Sequence, residues 1–220
     1  MSRFTGWPEE ALSFFRGLEA DNSKSYWTAQ RAVYDGSVLA PMRALAEEVA
    51  EEFGPMHIFR PYRDVRFSKD KSPYKTAIAA GGELEGGAVI YLHLGAEGLF
   101  AASGYYQMRS DQLERYRRAV ADDRTGPALE SVVAELRRAR WEVGGEALKV
   151  APRGYPRDHP RVLLLRHKGM TMGKTFPPAK WLHTRKALDR VVGVWQAGAP
   201  MNDWLDAHVG PSTLPPDDAR

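Results

Sequence analysis

The fold is decided by residues 88–105, AVIYLHLGAEGLFAASGY. Apolar residues alternate with others on both sides of Gly95 and Gly98, which predicts two strands joined by a tight hairpin. The same period of two appears upstream, from Ile58 onward. We therefore predict four strands, at about 58–67, 74–80, 88–94 and 98–105. Because the connections between successive strands are short, we expect an antiparallel meander.

Helical patterns flank this region on both sides. Pro8, followed by two glutamates, starts the first of three helices, and Gly54 ends the third. Helices return at about 110–122 and 127–140, a long helix follows later, and Pro200 starts a last one. The chain is therefore predicted to be α+β, with a meander sheet packed against N-terminal and C-terminal helices.

The chain has 220 residues and contains no cysteine, which excludes disulfides, thiol catalysis and cysteine-ligated metals. We expect a single domain over residues 1–209 and a Pro- and Asp-rich disordered tail over 210–220. No apolar run approaches the roughly 20 residues of a membrane span, and the first residues contain no apolar region typical of a signal peptide, so we expect neither. A cytoplasmic protein without a membrane partner is the expectation.

Positive charge is concentrated in two short segments. Residues 57–75, the first basic segment, carry a net charge of +4, and residues 149–168, the second basic segment, carry +5. Since the whole chain is only +3, the remainder carries −6. This polarised distribution indicates where an anionic partner would bind.

In the first basic segment, strand alternation would place Arg60, Tyr62, Asp64 and Arg66 on one face. The planar guanidinium suits bidentate contact with phosphate or carboxylate groups, so this face is a candidate anion site. The alternative is that Asp64 pairs with Arg60 or Arg66 while the lysines coat a solvated loop. The candidate ligand-binding residues of this segment are Arg60, Tyr62, Arg63, Asp64, Arg66, Ser68, Lys69, Lys71, Tyr74 and Lys75.

The second basic segment contains a loop rich in proline, where functional residues often lie. It contributes the further candidates Arg153, Tyr155, His159 and Arg166. His159 is the best-placed histidine for acid–base work because imidazole titrates near neutrality, and Tyr74 is a second candidate. The alternative is a structural histidine beside a helix-capping Asp158.

No metal or cofactor is expected from the motifs. The chain has no His-x-His, no His-Glu-x-x-His and no acidic calcium loop. The stretch GMTMGKT at 169–175 looks like a phosphate-binding loop, but its spacer is one residue short and prolines follow where a helix should begin.

The stretch RDVRFSKDKSPYKT, residues 63–76, closely resembles the signature of a family known as domain of unknown function 2461. Further stretches agree in order along nearly the whole chain, among them Pro8 to Leu12, Tyr91 to Leu94, Pro152 to Tyr155, Leu164 to Lys168 and Pro200 to Leu205. The match departs at Ala77 to Gly87, where a more aromatic strand is expected. The resemblance implies one conserved domain and no established activity, and it supplies no catalytic residues.

Three functions stay open at this point. The favoured hypothesis is a binding module whose basic segments converge on an anionic small molecule bearing phosphate or carboxylate. An enzyme acting on such a substrate, with His159 or Tyr74 in proton transfer, is the alternative. Nucleic-acid binding is less favoured because the remainder of the chain is acidic. A purely structural role for the arginines, as partners in buried pairs, is a further alternative.

Overall fold

The computed structural model describes residues 3–64, 66 and 70–215, and it confirms the α+β class. The helices of these residues are α1 (Glu9–Ala20), α2 (Lys24–Ala29), α3 (Arg31–Val33), α4 (Ala40–Phe53), α5 (Ser110–Ala121), α6 (Gly126–Arg138), α7 (Val162–Leu165) and α8 (Lys186–His208). A π-helical segment, Tyr34–Leu39, joins α3 to α4, and a 3-10 turn, Lys180–His183, precedes α8.

The described residues form an antiparallel sheet of six strands in the order β1-β2-β3-β4-β6-β5. The strands are β1 (His57–Ile58), β2 (Ala77–Glu83), β3 (Val89–Gly95), β4 (Gly98–Tyr105), β5 (Glu142–Gly144) and β6 (Met170–Phe176). The meander from β2 to β4 confirms the predicted architecture, although about four strands was too low a count. The stretch that resembles a phosphate-binding loop is β6, which pairs antiparallel with β5 through Val143 and Met172.

The first predicted strand, at 58–67, was wrong in extent. Its ladder with β2 ends after Ile58, which lies opposite Ala80. Pro61 has no N–H to donate, so regular pairing cannot run on through it. Beyond it, Tyr62 forms only an isolated bridge with Tyr74, while residues 65 and 67 lie outside the described part of the chain. Among the described residues, no strand extends over this stretch. The predicted strand face with Arg60, Tyr62, Asp64 and Arg66 is therefore not formed.

The helix expected to start at Pro200 was also wrong, because α8 continues through that proline. Proline removes one intrahelical hydrogen bond, and burial of the following apolar residues outweighs that loss. Met201, Trp204 and Leu205 are all buried. Within the described part of the chain, no helix is long and apolar enough to cross a membrane.

The chain falls into two compact units, each built from three stretches. The first unit comprises Met1–Glu83, Ile90–Ala101 and Thr175–Val194, and the second comprises Leu84–Val89, Ala102–Lys174 and Trp195–Arg220. The single domain predicted over 1–209 stays a prediction.

In the first unit, the entering chain is fixed by a small polar cluster. The Phe4 N–H donates to the Glu48 carboxylate, and Arg185 pairs with Glu48 at 2.6 Å and donates to the Phe4 carbonyl at 3.2 Å. Burial raises the pKa of Glu48, but the bonds from Phe4 and Arg185 outweigh it and hold the pKa below its usual value. The cluster connects the N-terminal segment to α4 and to the chain just before α8.

In the second unit, side chains of α5 hold the chain that follows α8. Asp111 accepts from the Ser212 hydroxyl at 2.8 Å and from the Thr213 N–H at 2.8 Å. Arg115 donates to the carbonyls of Val209 and Pro211. Burial raises the Asp111 pKa, but the hydrogen bonds that it accepts lower it overall. The beginning of the expected tail is therefore bonded in this structure, and disorder beyond it stays a prediction.

Candidate anion-binding site

A pocket of about 300 Å³ opens on the first unit, at the π-helical segment. Its wall is built from α3, the π-helical segment, α4, β1 and the chain just after β1. The lining residues are Arg31, Tyr34, Leu39, Arg43, Ile58, Phe59, Arg60, Pro61 and Tyr62. We call this feature the arginine pocket.

The π-helical segment shapes one side of the arginine pocket. Such segments widen the helix by one residue per turn and are frequent at functional sites. Tyr34 and Leu39, at its two ends, both line the pocket, and Gly36 between them has open space around its Cα. The extra residue alters the relative directions of Arg31 and Arg43, which flank the segment.

An aromatic cluster adjoins the arginine pocket through two of its members, Tyr34 and Tyr62, which line the pocket. The Trp27 ring stacks on Tyr74, with centroids 4.4 Å apart and planes 7° apart. Trp27 also contacts Tyr34, at 4.8 Å between centroids, and Tyr62, at 6.2 Å. The Asn22 amide accepts from the Tyr74 N–H at 3.0 Å and donates to the Tyr74 carbonyl at 3.1 Å. This clamp fixes the first basic segment against α2.

Three guanidinium groups surround the pocket. Arg31 is paired with Asp35 at 2.9 Å, one helical turn away, and lies 5.9 Å from the Trp27 ring centroid. Within residues 3–64, 66 and 70–215, neither Arg43 nor Arg60 forms an ion pair or a side-chain hydrogen bond. The local charge is therefore positive and only partly compensated.

A buried phenol complements these cations. Burial raises the pKa of Tyr34 to about 12, while the charges of Arg31 and Arg43 act in the opposite direction. The Tyr34 hydroxyl consequently stays protonated at neutral pH and keeps its proton available for donation. A pocket with cationic donors and a neutral hydroxyl suits an anion better than a cation.

The remaining candidates of the first basic segment are placed differently. Arg66 forms a bidentate contact with Asp64, with the shortest distance 2.8 Å, and Arg63 pairs with Asp70. Hydrogen bonds from Arg66 lower the pKa of Asp64 to about 2, and the charge of Arg60 adds to this at longer range. These residues follow the alternative interpretation, in which the charges pair with one another on an exposed loop.

Five further candidates complete this segment. Lys71 is exposed, and the Lys75 ammonium lies 5.8 Å from the Phe59 ring centroid. Tyr74 is buried in the aromatic cluster. Ser68 and Lys69 lie outside the described residues.

The candidates of the second basic segment belong to the second unit. The Arg166 Nε donates to the Leu148 carbonyl at 2.6 Å, and His159 Nδ1 accepts from the Arg161 N–H at 3.0 Å. When neutral, His159 therefore carries its proton on Nε2. Arg153 is exposed and Tyr155 is half-buried. The expected convergence of the two basic segments stays a prediction.

Sequence reasoning missed Arg31, Tyr34 and Arg43. A signal for them exists, because Trp27, Arg31 and Tyr34 follow one another at the i, i+4 and i+7 spacing of one helical face. The arginine at the edge of that face was the available indication of a binding site.

A second pocket of the first unit has a mixed character. It measures about 310 Å³ and is lined by Glu9, Leu12, Ser13, Arg16, Pro178, Ala179, Lys180 and His183. The His183 Nδ1 lies 2.7 Å from the Trp7 carbonyl, so this ring is held from inside the unit. Its one carboxylate, Glu9, offsets one of its two cations, Arg16 and Lys180, so its lining is less positive than that of the arginine pocket. Among the residues that the structure describes, no group of three or more His, Asp or Glu is arranged to hold a metal ion.

An aromatic row follows one face of the sheet in the first unit. It consists of Phe59, Tyr91, His93 and Phe100, and the His93 ring stacks on Phe100 at 5.2 Å between centroids. Burial lowers the pKa of His93, so the imidazole is neutral at pH 7 and packs as an aromatic ring. We keep the name aromatic row for these four residues.

His93 should make the stability of the protein depend on pH. Because its pKa is lower in the folded state than in the unfolded state, the unfolded chain binds the proton more readily. The free energy of unfolding is expected to fall as the pH drops from 7 to 5, and His93→Phe should reduce that fall. Denaturant titrations at both pH values measure it. Burial also lowers the pKa of His167 in the second unit, so His167 is expected to cause part of the fall that persists in His93→Phe. An equal fall in wild type and variant would contradict the role of His93.

Residues 10–204 match the model of a family described as conserved hypothetical protein (DUF2461). Neither the curated proteins nor the solved structures gave a match to this chain. The matched range contains the arginine pocket, the aromatic row and both basic segments.

Proposed function

The chain belongs to the DUF2461 family of conserved hypothetical proteins, and we propose that it is a binding module for an anionic ligand bearing phosphate or carboxylate. The observation that carries the proposal is the arginine pocket. Arg43 and Arg60 face a cavity of about 300 Å³ without an ion-pair partner among the described residues. Arg31 adds a third guanidinium, and Asp35 compensates one of the three charges.

Guanidinium groups in such a pocket favour oxyanions for two reasons. Each presents several N–H donors in a planar fork that matches the oxygens of phosphate or carboxylate. The aromatic side chains in the lining, those of Tyr34, Phe59 and Tyr62, also occupy space that water would fill, which strengthens the attraction between the charges. The pocket volume lies at the lower end of the usual range for small-molecule sites, so the ligand is expected to be small.

The lining favours binding over catalysis. No carboxylate, imidazole or amine stands among the described residues that line the arginine pocket. The Tyr34 phenol, with a pKa of about 12, is a poor proton acceptor at neutral pH. Of the two residues considered for proton transfer, His159 has its Nδ1 occupied by the Arg161 N–H, and Tyr74 is buried against Trp27. Neither observation supports an enzyme.

The test is a calorimetric titration of the full chain with pyrophosphate and, separately, with citrate. Arg43→Met and Arg60→Met remove one charge each while keeping an unbranched side chain. Each is expected to weaken binding of the preferred anion by about tenfold to a hundredfold, because a charged hydrogen bond contributes about 1.5–3 kcal/mol.

Arg138→Met is the matched control, since Arg138 is an exposed arginine of α6 in the second unit. It should leave the affinity unchanged. Absence of saturable binding of both anions, or an equal loss in the control, would refute the proposed function.

A further inference from the structure

The aromatic row lies on a single face of the first unit's sheet. Along β3, Ile90 and Leu92 are buried on one face, so the alternating Tyr91 and His93 lie on the other. Tyr91 lies 5.7 Å from His93 and 6.3 Å from Phe100 between ring centroids. All three rings are half-buried, so each keeps part of its surface accessible.

The strand between Phe59 and Tyr91 carries only small side chains on this face. In β2, Ile78 and Ala80 are buried, and the alternating positions are Ala77, Ala79 and Gly81. A Cβ added at Gly81 would lie 3.6 Å from the Phe59 ring. Small residues here leave room for the Phe59 ring over β2, where it approaches Tyr91 to 6.4 Å between centroids. The four rings thus contact one another in series, and β2 places no large side chain on this face.

Phe59 belongs to both features. It lines the arginine pocket beside Arg60, and it is also the first ring of the aromatic row. Its ring is 39% exposed, and the Lys75 ammonium lies 5.8 Å from its centroid. Cationic donors and an apolar ring surface therefore meet at one residue. A ligand that uses both must carry an anionic group at one end and a flat aromatic group at the other.

We propose that this ligand is a nucleoside monophosphate, whose phosphate binds in the arginine pocket and whose base stacks on the aromatic row. The inference rests on the proposed function, because the phosphate is placed by the same arginines. A nucleotide joins the two required groups through a single sugar, and any base offers a π-face for stacking. The row contains no charged side chain, so it selects for a planar ring and not for a second anion. Stacking on aromatic side chains is sufficient to change affinity by tenfold or more.

The experiment compares three probes on the full-length wild-type chain by calorimetry: pyrophosphate, ribose 5-phosphate and adenosine 5′-monophosphate. Adenosine monophosphate is expected to bind at least about tenfold more tightly than ribose 5-phosphate, which has the same phosphate and sugar but no base. Equal affinities of these two probes, with binding of pyrophosphate intact, would overturn the nucleotide assignment and leave the proposed function standing. Failure of all three probes to bind would instead refute both.

Two variants of the aromatic row test where the base of the nucleotide binds. Tyr91→Leu and Phe100→Leu, tested separately, each remove one ring and keep an apolar side chain, so a folding defect in one leaves the other informative. Each should reduce the advantage of adenosine monophosphate to less than about threefold while the affinity for ribose 5-phosphate stays the same. Tyr106→Leu, at a tyrosine that is 70% exposed in the second unit, is the matched control and should keep the full advantage. An advantage that persists in both row variants would overturn the assignment of the base to the aromatic row.

Discussion

Replacing Trp27 by alanine is expected to lower the free energy of unfolding by about 3–5 kcal/mol, the range for buried aromatic residues truncated to alanine. The Trp27 side chain is 5% exposed and stacks on Tyr74 with nearly parallel planes. Its ring also contacts Phe14, at 5.8 Å between centroids, and Tyr34, at 4.8 Å. Alanine would leave a cavity at the centre of the aromatic cluster that the surrounding rings cannot fill without moving. Guanidinium chloride unfolding of the purified chain measures the loss.

Two further variants test whether the loss of stability comes from losing a buried aromatic ring at position 27. Trp27→Phe keeps an aromatic ring over Tyr74 and should recover more than half of the lost stability. Tyr106→Ala truncates an exposed aromatic side chain and should change stability by no more than about 0.5 kcal/mol. A Trp27→Ala variant as stable as Tyr106→Ala would show that the cluster does not hold the unit together.

The same substitution should also weaken the arginine pocket. Trp27 supports Tyr34 and Tyr62, which line it, and lies under the Arg31 guanidinium. A variant that remains folded but binds pyrophosphate as the wild type does would separate the cluster from the site. Calorimetry at a temperature where the variant is fully folded distinguishes the two effects.

Replacing Arg161 by methionine is expected to lower the free energy of unfolding by about 2–4 kcal/mol, because contacts within the second unit are lost. The side chain is 6% exposed, and its guanidinium donates to the Val120 carbonyl at 2.7 Å and to the Ala121 carbonyl at 3.0 Å. These are among the last carbonyls of α5, which have no partner within their own helix. Hydrogen bonds from a charged donor contribute about 1.5–3 kcal/mol each, and methionine can replace only the apolar contacts.

Arg157→Met is the control for this prediction, because Arg157 is an exposed arginine of the same basic segment. It should change stability by no more than about 0.5 kcal/mol. Urea unfolding of both variants and the wild type measures the difference. Equal stability of Arg161→Met and the wild type would contradict the inferred role of Arg161 in capping the C-terminus of α5.

These results bear on the second basic segment as a whole. Arg161 and Arg166 both donate to backbone carbonyls of their own unit, so part of the positive charge seen in the sequence has a structural use. Charge density by itself did not distinguish this use from ligand binding. In the first basic segment, by contrast, Arg60 has no such partner among the described residues and borders the arginine pocket.

The sequence by itself determined the α+β class and the meander from β2 to β4. These elements could be predicted because they depend on residues that are close together in the chain. The alternation along residues 88–105 and the turn between Gly95 and Gly98 are both local patterns. β6 was not predicted because the alternation of Met170, Thr171 and Met172 covers only three residues before Gly173 and Lys174 interrupt it. β1 was predicted too long because the alternation of side chains continues past Pro61, although Pro61 has no backbone N–H to donate to a neighbouring strand.

Only the tertiary structure showed which of the charged residues line one pocket. Arg60 and Tyr62 were predicted from the first basic segment, but Arg31 and Arg43 reach the same pocket from a helical region much earlier in the chain. The clamp between Asn22 and Tyr74, 52 residues apart, shows how that proximity arises. Periodicity depends on the geometry of adjacent residues, whereas such contacts depend on how whole elements pack. For this reason a single sequence showed where the positive charge lies, and only the folded chain showed which arginines line one cavity.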